Sequence, residues 1–245
     1  MPASLTVHSP KVKAVLRGPG NWSRFDSMRQ SSLNEVINLL REEYLIWKKP
    51  AVTVIAECER NPFKILVSCI ISLRTRDEVT ADVSARLFAR ADTPEKVQQI
   101  PLAELERLLY PAGFYRNKAI QIKEISQGLI KDFGGTVPGD MNTLLLFKGV
   151  GRKTANLVMT LGFDKPGICV DTHVHRICNR WGYVATFTPL ATEMILRAQL
   201  PQEYWTQINE LLVAFGQNHC TPLSPRCSTC KIYIHCSRVG VSKFR

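Results

Sequence analysis

The segment Leu144-Leu-Leu-Phe-Lys-Gly-Val-Gly-Arg-Lys-Thr-Ala-Asn156 limits the fold of this chain more than any other. Its pattern predicts a short helix that runs into Gly149, Val150 and Gly151, and a second helix that begins directly after them. Two glycines around one apolar residue permit a tight turn with exposed backbone N–H groups. Those groups, together with the dipole of the second helix, form an anion site that suits a phosphate. The alternative is an ordinary helical hairpin without a ligand.

Two basic residues occupy the first turn of the second helix, where positive charge opposes the helix dipole. This unfavourable placement indicates that both side chains have a use. Arg152 is predicted to face a phosphate. Lys153 is predicted to have a lowered pKa, because the helix N-terminus and neighbouring cations disfavour its charged form. A neutral amine is a nucleophile that can form a Schiff base, whereas the alternative is a solvated surface lysine.

A second short motif, Val170-Asp171-Thr-His173, follows an apolar run. Asp171 is predicted to begin a helix, and a capping role alone would explain an aspartate at this position. A capping carboxylate is also held rigidly, so a chemical role is compatible with the cap. His173 and His175 lie two residues apart and cannot share a helix face, which argues against a metal site formed by both.

Half of the eight cysteines fall within residues 220–236, in the spacing Cys220-x6-Cys227-x2-Cys230-x5-Cys236. In a chain without extracellular features, such a cluster indicates a metal site rather than a disulfide framework. Zinc sites usually pair two separated C-x2-C units. One compact loop with four thiolates suits a cubane iron–sulfur cluster instead, and zinc remains the alternative.

Composition and charge narrow the class of protein further. Of the 245 residues, 45% are hydrophobic and 22% charged, which excludes wholesale disorder. No apolar run reaches the roughly 18 residues of a transmembrane helix, and the first 30 residues lack a signal-peptide pattern, so a cytoplasmic location is expected. Lys and Arg number 32 against 21 Asp and Glu, a net charge of +11 that favours a polyanionic partner such as nucleic acid.

Helical signals cover nearly the whole chain. A capping box at Ser32-x-x-Glu35 predicts one helix, and Asn61-Pro62 predicts the start of a buried helix that reaches Leu73. The same signals predict helices that begin at 77 and 93 and that cover 117–133, 140–146, a stretch after 151, 172–182, 189–200 and 202–215. Only Val52–Ile55 has the composition of a strand. This pattern predicts an all-α fold, with the best domain boundary of the second half at Lys165-Pro166-Gly167.

The hairpin, the aspartate motif and the cysteine loop together resemble the endonuclease III family of base-excision DNA glycosylases, over roughly residues 33–236. The resemblance implies a two-domain helix-hairpin-helix DNA glycosylase fold with a cleft. A six-helix domain would cover 55–164, and an iron–sulfur cluster domain would combine 31–54 with 165–245. Residues 1–30 would be a flexible N-terminal arm without an assigned function.

The same resemblance implies a bifunctional enzyme that removes damaged bases, oxidised pyrimidines above all, and cuts abasic sites by β-elimination. Lys153 would be the nucleophile, Asp171 its partner, and the four cysteines the ligands of a [4Fe–4S] cluster. The partner would be duplex DNA with a damaged base or an abasic site, bound by a monomer that has no membrane contact and is associated with the nucleoid in a bacterium or archaeon. The residues expected to contact DNA are Lys148, Gly149, Val150, Gly151, Arg152, Arg74, Phe114 and His173.

Three positions depart from the family pattern. Phe147-Lys148 stands where many relatives carry Leu-Pro, so the turn is expected to be less rigid and Lys148 to add a phosphate contact. Arg74 stands where a glutamine usually fills the space of the flipped base, which alters the expected preference for the opposite base. Phe114 stands where a leucine usually wedges into the duplex. Without the resemblance, a surface ion pair for Arg74 and a core position for Phe114 are equally good interpretations.

Two other functions fit parts of the pattern. Monofunctional relatives that remove adenine or mismatched thymine share the cysteine spacing but generally lack the lysine, so Lys153 argues against them. A non-catalytic DNA-binding module with a redox-sensing cluster would need the basic surface but neither Lys153 nor Asp171.

Overall fold

The computed structural model describes residues 30–245, and this part of the chain is helical without a β-strand. The predicted N-terminal arm lies outside the described residues, apart from Gln30, which already belongs to the first helix. The helices are α1 Gln30–Tyr44, α2 Ala51–Cys58, α3 Pro62–Ser72, α4 Asp77–Arg90, α5 Pro94–Gln99, α6 Leu102–Leu109, α7 Tyr115–Phe133, α8 Met141–Leu144, α9 Arg152–Leu157, α10 Thr172–Trp181, α11 Pro189–Gln199 and α12 Ile208–Asn218.

Several helices begin where their capping residues predict. The Asn61 side chain accepts hydrogen bonds from the N–H groups of Phe63 and Lys64, and α3 follows with nearly every residue buried. Asp140 caps α8 in the same way through the N–H of Thr143. Gly134 ends α7 in the left-handed conformation, at a φ of 58°, that glycine adopts at low cost. These termini depend on local chemistry alone.

Three predicted boundaries are wrong. Val52–Ile55 is helical within α2, because the apolar face of that helix packs against α3 and overrides the weak strand preference of β-branched residues. Helix α1 begins at Gln30, so the Ser32 capping box does not mark its start. The helix predicted over 202–215 is a 3₁₀ turn at Gln202–Tyr204 followed by α12, which runs to Asn218.

The buried side chains form two hydrophobic clusters. One collects residues between 52 and 158 and draws more members from α3 and α7 than from any other helix. The other joins α1 to residues between 168 and 232. Chain segments distant in sequence therefore share the second core, and the predicted domain division stays a prediction. In the described residues, no helix combines the length and the apolar character that crossing a membrane requires.

Candidate active site and DNA interface

The hairpin turn between α8 and α9 is held by α7. Gly149 has a φ of 81°, and a Cβ at this position would overlap Gln121 Nε2. That amide donates a hydrogen bond of 3.1 Å to the carbonyl oxygen of Lys148. Val150 is buried in the first core. The turn therefore needs glycine at 149 for both its conformation and its close contact with α7.

Packing on α7 also restrains Phe147, two residues before the first glycine of the turn. The ring of Phe147 lies 5.8 Å from that of Phe133 and fits beside Gly128, where a Cβ would stand 3.1 Å from the Phe147 ring. A large side chain packed into a gap left by glycine limits the motion that the absence of proline would allow. The adjacent Lys148 side chain is 86% exposed, with its Nζ 3.8 Å from Glu124. The lysine is thus accessible to a phosphate.

Lys153 and Asp171 meet at the junction of the two cores. Lys153 lies in the first turn of α9, and its Nζ is 3.3 Å from Asp171 Oδ2. Asp171 is buried at the N-terminus of α10, where its Oδ1 accepts hydrogen bonds from the N–H groups of His173 (2.8 Å) and Val174 (3.0 Å). The predicted cap is confirmed, and it fixes the carboxylate so that one oxygen caps the helix and the other faces the lysine.

The prediction of a lowered pKa for Lys153 is wrong for the free protein. Burial by itself lowers the pKa, but the Asp171 carboxylate favours the ammonium form and raises the pKa of Lys153 above its usual value. Helix position alone suggested the opposite sign, because the sequence does not show how close the carboxylate lies. Lys153 is therefore an ammonium group at neutral pH and has to lose a proton before it can act as a nucleophile.

The Arg152 side chain is 41% exposed and has a partner within the protein. Its guanidinium donates two hydrogen bonds, of 2.9 and 2.6 Å, to the buried carboxylate of Glu193 on α11. Arg197 donates a third, of 3.0 Å. Burial would raise the pKa of Glu193, but the hydrogen bonds and charges of the two arginines lower it, so the carboxylate stays ionised. This ion cluster ties the first turn of α9 to the second core.

His173 lies half-buried beside the lysine–aspartate pair. Its Nδ1 is 3.2 Å from Arg176 Nη2. Gly216 packs so closely against the ring that a Cβ at position 216 would overlap His173 Nδ1. Burial lowers the pKa of His173, so the ring is neutral at pH 7. His175 lies apart from it, with Nδ1 at 2.7 Å from Thr192 Oγ1.

Arg74 and Phe114 lie together on two neighbouring loops. The guanidinium carbon of Arg74 is 5.5 Å from the centre of the Phe114 ring. Phe114 is 60% exposed, which excludes a core position. In the described part of the chain no carboxylate lies within ion-pair distance of Arg74, so the surface ion pair is excluded too. Both residues are free to contact a ligand.

The four clustered cysteines line a single cavity between α10, α12 and the loop that follows. The guanidinium of Arg180 donates a hydrogen bond of 3.5 Å to Cys220 Sγ, and Arg226 and Arg238 line the same cavity. Burial raises the pKa of Cys230 to about 12. A thiolate at this position therefore needs positive charge beside it, which arginines supply in part and a bound metal would supply in full.

Comparison with known proteins agrees with this geometry. Residues 67–202 match the family described as HhH-GPD superfamily base excision DNA repair protein. Endonuclease III of Thermotoga maritima is 46% identical over 178 residues, which cover 73% of this chain and 84% of that protein. Endonuclease III of Bacillus subtilis is 37% identical over 205 residues, covering 82% and 94% respectively.

Solved structures agree as well. A trapped endonuclease III–DNA covalent intermediate is 32% identical, with a TM-score of 0.76 over 86% of this chain and 97% of that one. A thermostable thymine-DNA glycosylase, 23% identical with a TM-score of 0.67, shares the fold. The helical hairpin, the all-α architecture and these similarities lead to one conclusion: this chain belongs to the HhH-GPD superfamily of base excision DNA repair proteins, as a member of its endonuclease III family.

Proposed function

We propose that this endonuclease III-family enzyme, a base-excision repair DNA glycosylase with AP lyase activity, acts on oxidised pyrimidines through Lys153 and Asp171. The observation that carries the proposal is the 3.3 Å approach of Lys153 Nζ to Asp171 Oδ2, with the carboxylate fixed by its helix cap. A nucleophile beside a rigid proton acceptor is the arrangement that amine catalysis requires.

The reaction follows from these two groups. A damaged base leaves the stack and enters the cleft, at a cost of roughly a few kcal/mol that is smallest for a damaged or mispaired base. Lys153 transfers its proton, with Asp171 Oδ2 in position to accept it, and its nitrogen bonds to the anomeric carbon as the glycosidic bond breaks. The base leaves with the bonding electrons and takes up the proton that Lys153 gave to Asp171, so the carboxylate is ionised again. The negative charge of Asp171 also stabilises cationic character on the sugar.

Strand cleavage uses the same lysine. The sugar ring opens to an iminium ion, which acidifies the adjacent 2′ carbon. Loss of a proton there expels the 3′ phosphate by β-elimination, and hydrolysis of the imine regenerates the Lys153 amine. An abasic site has already lost its base, so its cleavage starts at imine formation and requires no base flipping.

We assign DNA binding to the hairpin and to the two loops beside the cleft. The N–H groups after Gly149, Val150 and Gly151 would bind a phosphate, with Lys148 as a further contact. Arg74 and Phe114 would enter the space that the flipped nucleotide leaves, and His173 would contact the backbone as a neutral donor. Because Glu193 already engages the Arg152 guanidinium, Arg152 would act on DNA mainly by placing α9.

The salt dependence of binding tests this division. We expect Lys148→Gln to reduce the slope of log affinity against log salt by about one, because a single phosphate contact is lost. The control is Lys96→Gln on α5, whose ammonium pairs with Asp92. Fluorescence anisotropy with an undamaged duplex measures both slopes. Equal salt-dependence slopes for the two variants would show that Lys148 does not contact the DNA.

We infer that Cys220, Cys227, Cys230 and Cys236 hold a [4Fe–4S] cluster. These four thiols share one cavity between α10, α12 and the loop that follows. A cubane does not need its ligands to converge on one ion, since each thiolate binds a different iron. Zinc sites usually pair two separated C-x2-C units, so one compact loop whose four thiols share a cavity suits the cluster better than zinc. When bound, such a cluster supplies one-electron redox chemistry and a structural crosslink.

Absorbance and metal content test the cluster. The purified protein should be yellow-brown, with a broad band near ~400 nm from thiolate-to-iron charge transfer. Cys227→Ala should lose that band, whereas Cys58→Ala, an exposed cysteine outside the cavity, should keep it. A colourless, active preparation that contains zinc and no iron would overturn the assignment.

The predicted setting of the enzyme remains part of the proposal. Residues 55–164 would form the hairpin domain, and 31–54 with 165–245 the cluster domain. A monomer would act in the cytoplasm, at the nucleoid in a bacterium or archaeon. The monofunctional and non-catalytic alternatives are disfavoured because neither needs an ammonium group beside a buried carboxylate. A cleavage assay on duplexes with thymine glycol, an abasic site, uracil or a mismatch separates the three.

A further inference from the structure

Arg74 and Phe114 share an unusual backbone conformation. Their φ angles are 52° and 58°, in the left-handed region that residues with a side chain rarely adopt. Neither residue is buried, so core packing does not impose these angles. Such strain persists only where surrounding contacts enforce it. The strained backbone of these two exposed residues must therefore be held by contacts with neighbouring residues.

Lys118 of α7 lies directly under this pair of loops. It is only 4% exposed. Its Nζ donates hydrogen bonds to the carbonyl oxygens of Ile71 and Leu73, each at 2.6 Å, and to Thr75 Oγ1 at 2.8 Å. An ammonium group has three donors, and all three are used on the segment that carries Arg74. The lysine thus closes the loop between α3 and α4 around one buried charge.

The same contacts reach the loop that carries Phe114. The N–H of Gly113 donates a hydrogen bond of 3.1 Å to Thr75 Oγ1, the atom that also accepts from Lys118. A Cβ at Gly113 would collide with the carbonyl oxygen of Arg74, so the two backbones touch. Lys118, Thr75 and Gly113 form one continuous support, which we call the loop brace.

A second role for Lys118, as an amine nucleophile, does not fit its surroundings. Burial lowers the pKa of Lys118 to about 8, which would favour a neutral amine. Its three acceptors favour the ammonium form, however, and its nitrogen has no open path to a sugar. The group therefore acts on structure.

We propose that Lys118 is a positioning residue for base extrusion, because the loop brace holds Arg74 and Phe114 ready to replace the flipped nucleotide. This inference rests on the proposed function of those two residues. The proposal predicts different effects on two activities of this enzyme, base excision and cleavage at abasic sites. Excision of a damaged base requires extrusion and therefore the brace. Cleavage at a preformed abasic site uses Lys153 and Asp171 without a base to extrude.

The test compares these two activities in single-turnover assays on matched duplexes, one with thymine glycol and one with an abasic site. Lys118→Met keeps an unbranched side chain as far as the ε position and removes its donors. We expect base excision to slow by about 10- to 100-fold, the effect of misplacing a positioning group, while abasic cleavage and borohydride trapping stay within about threefold of the unmodified enzyme. The control is Lys123→Met on the same helix, whose ammonium donates to the carbonyl oxygen of Gln98, away from the loop brace.

A second variant keeps the test decisive if Lys118→Met folds poorly. Thr75→Val is nearly isosteric and removes the one oxygen that bonds both Lys118 and Gly113. It should show the same selective loss of excision while circular dichroism shows the variant fully folded at the assay temperature. Equal losses on both substrates, or no loss on either, would overturn the positioning role. Failure of the unmodified enzyme to cut the abasic duplex would instead overturn the proposed lyase site.

Discussion

Lys153→Gln should abolish both borohydride trapping and strand cleavage while leaving duplex binding intact. Trapping reduces the imine between the enzyme and the sugar, and glutamine has no amine that can form one. Duplex binding depends on phosphate contacts of the hairpin turn and of other cations, which the substitution leaves in place. The measurement is a gel shift of enzyme and abasic duplex after borohydride, beside an anisotropy titration of the same variant.

The matched control is Lys148→Gln, which removes an exposed lysine from the same hairpin. It should trap normally once its weaker binding is saturated. Undiminished trapping in Lys153→Gln would place the nucleophile elsewhere. Base release without trapping in the unmodified enzyme would favour the monofunctional alternative.

Asp171→Asn should bind DNA normally but release bases at least about 10²-fold more slowly, the usual cost of losing an acid–base or electrostatic group. Asparagine caps a helix about as well as aspartate, so α10 should remain folded. The variant therefore separates the charge of Asp171 from its cap. Asp171→Ala removes both and should lose about 1 kcal/mol of stability as well.

The pH profile of the Asp171→Asn variant carries a second expectation. Lys153 must lose a proton before it attacks, so the rate rises as the pH approaches the pKa of this lysine. The carboxylate raises that pKa, and its removal leaves burial, which lowers it. The rising limb should therefore move to lower pH even as the maximal rate falls. Single-turnover rates across the pH range measure both, and an unchanged limb would mean that Asp171 does not set the protonation of Lys153.

Local chemistry made part of this molecule predictable. The caps at Asn61 and Asp171 and the glycine turn each depend on residues within about four positions, so their geometry follows from sequence. The β-branched composition of Val52–Ile55 indicated a strand, but the segment is helical because packing against α3 outweighs the weak strand preference of these residues.

Long-range partners were the part that sequence could not supply. The pKa of Lys153 depends on a carboxylate 18 residues away, and the Arg152 guanidinium finds its partner 41 residues away at Glu193. The acceptors of Lys118 lie 43 to 47 residues before it. Two unfavourable cations in the first turn of α9 were the available signal, since such a placement implies a compensating anion elsewhere.

Because the Phe147 ring packs against Gly128, amino-acid substitutions at these two positions are not independent in evolution. Alanine at 128 would press on the Phe147 ring, whereas loss of the ring alone leaves a void beside α7. Each single step is harmful while the other position is unchanged, so the two sites are epistatic. Filling position 128 first would displace the Phe147 ring, which packs directly before the hairpin turn.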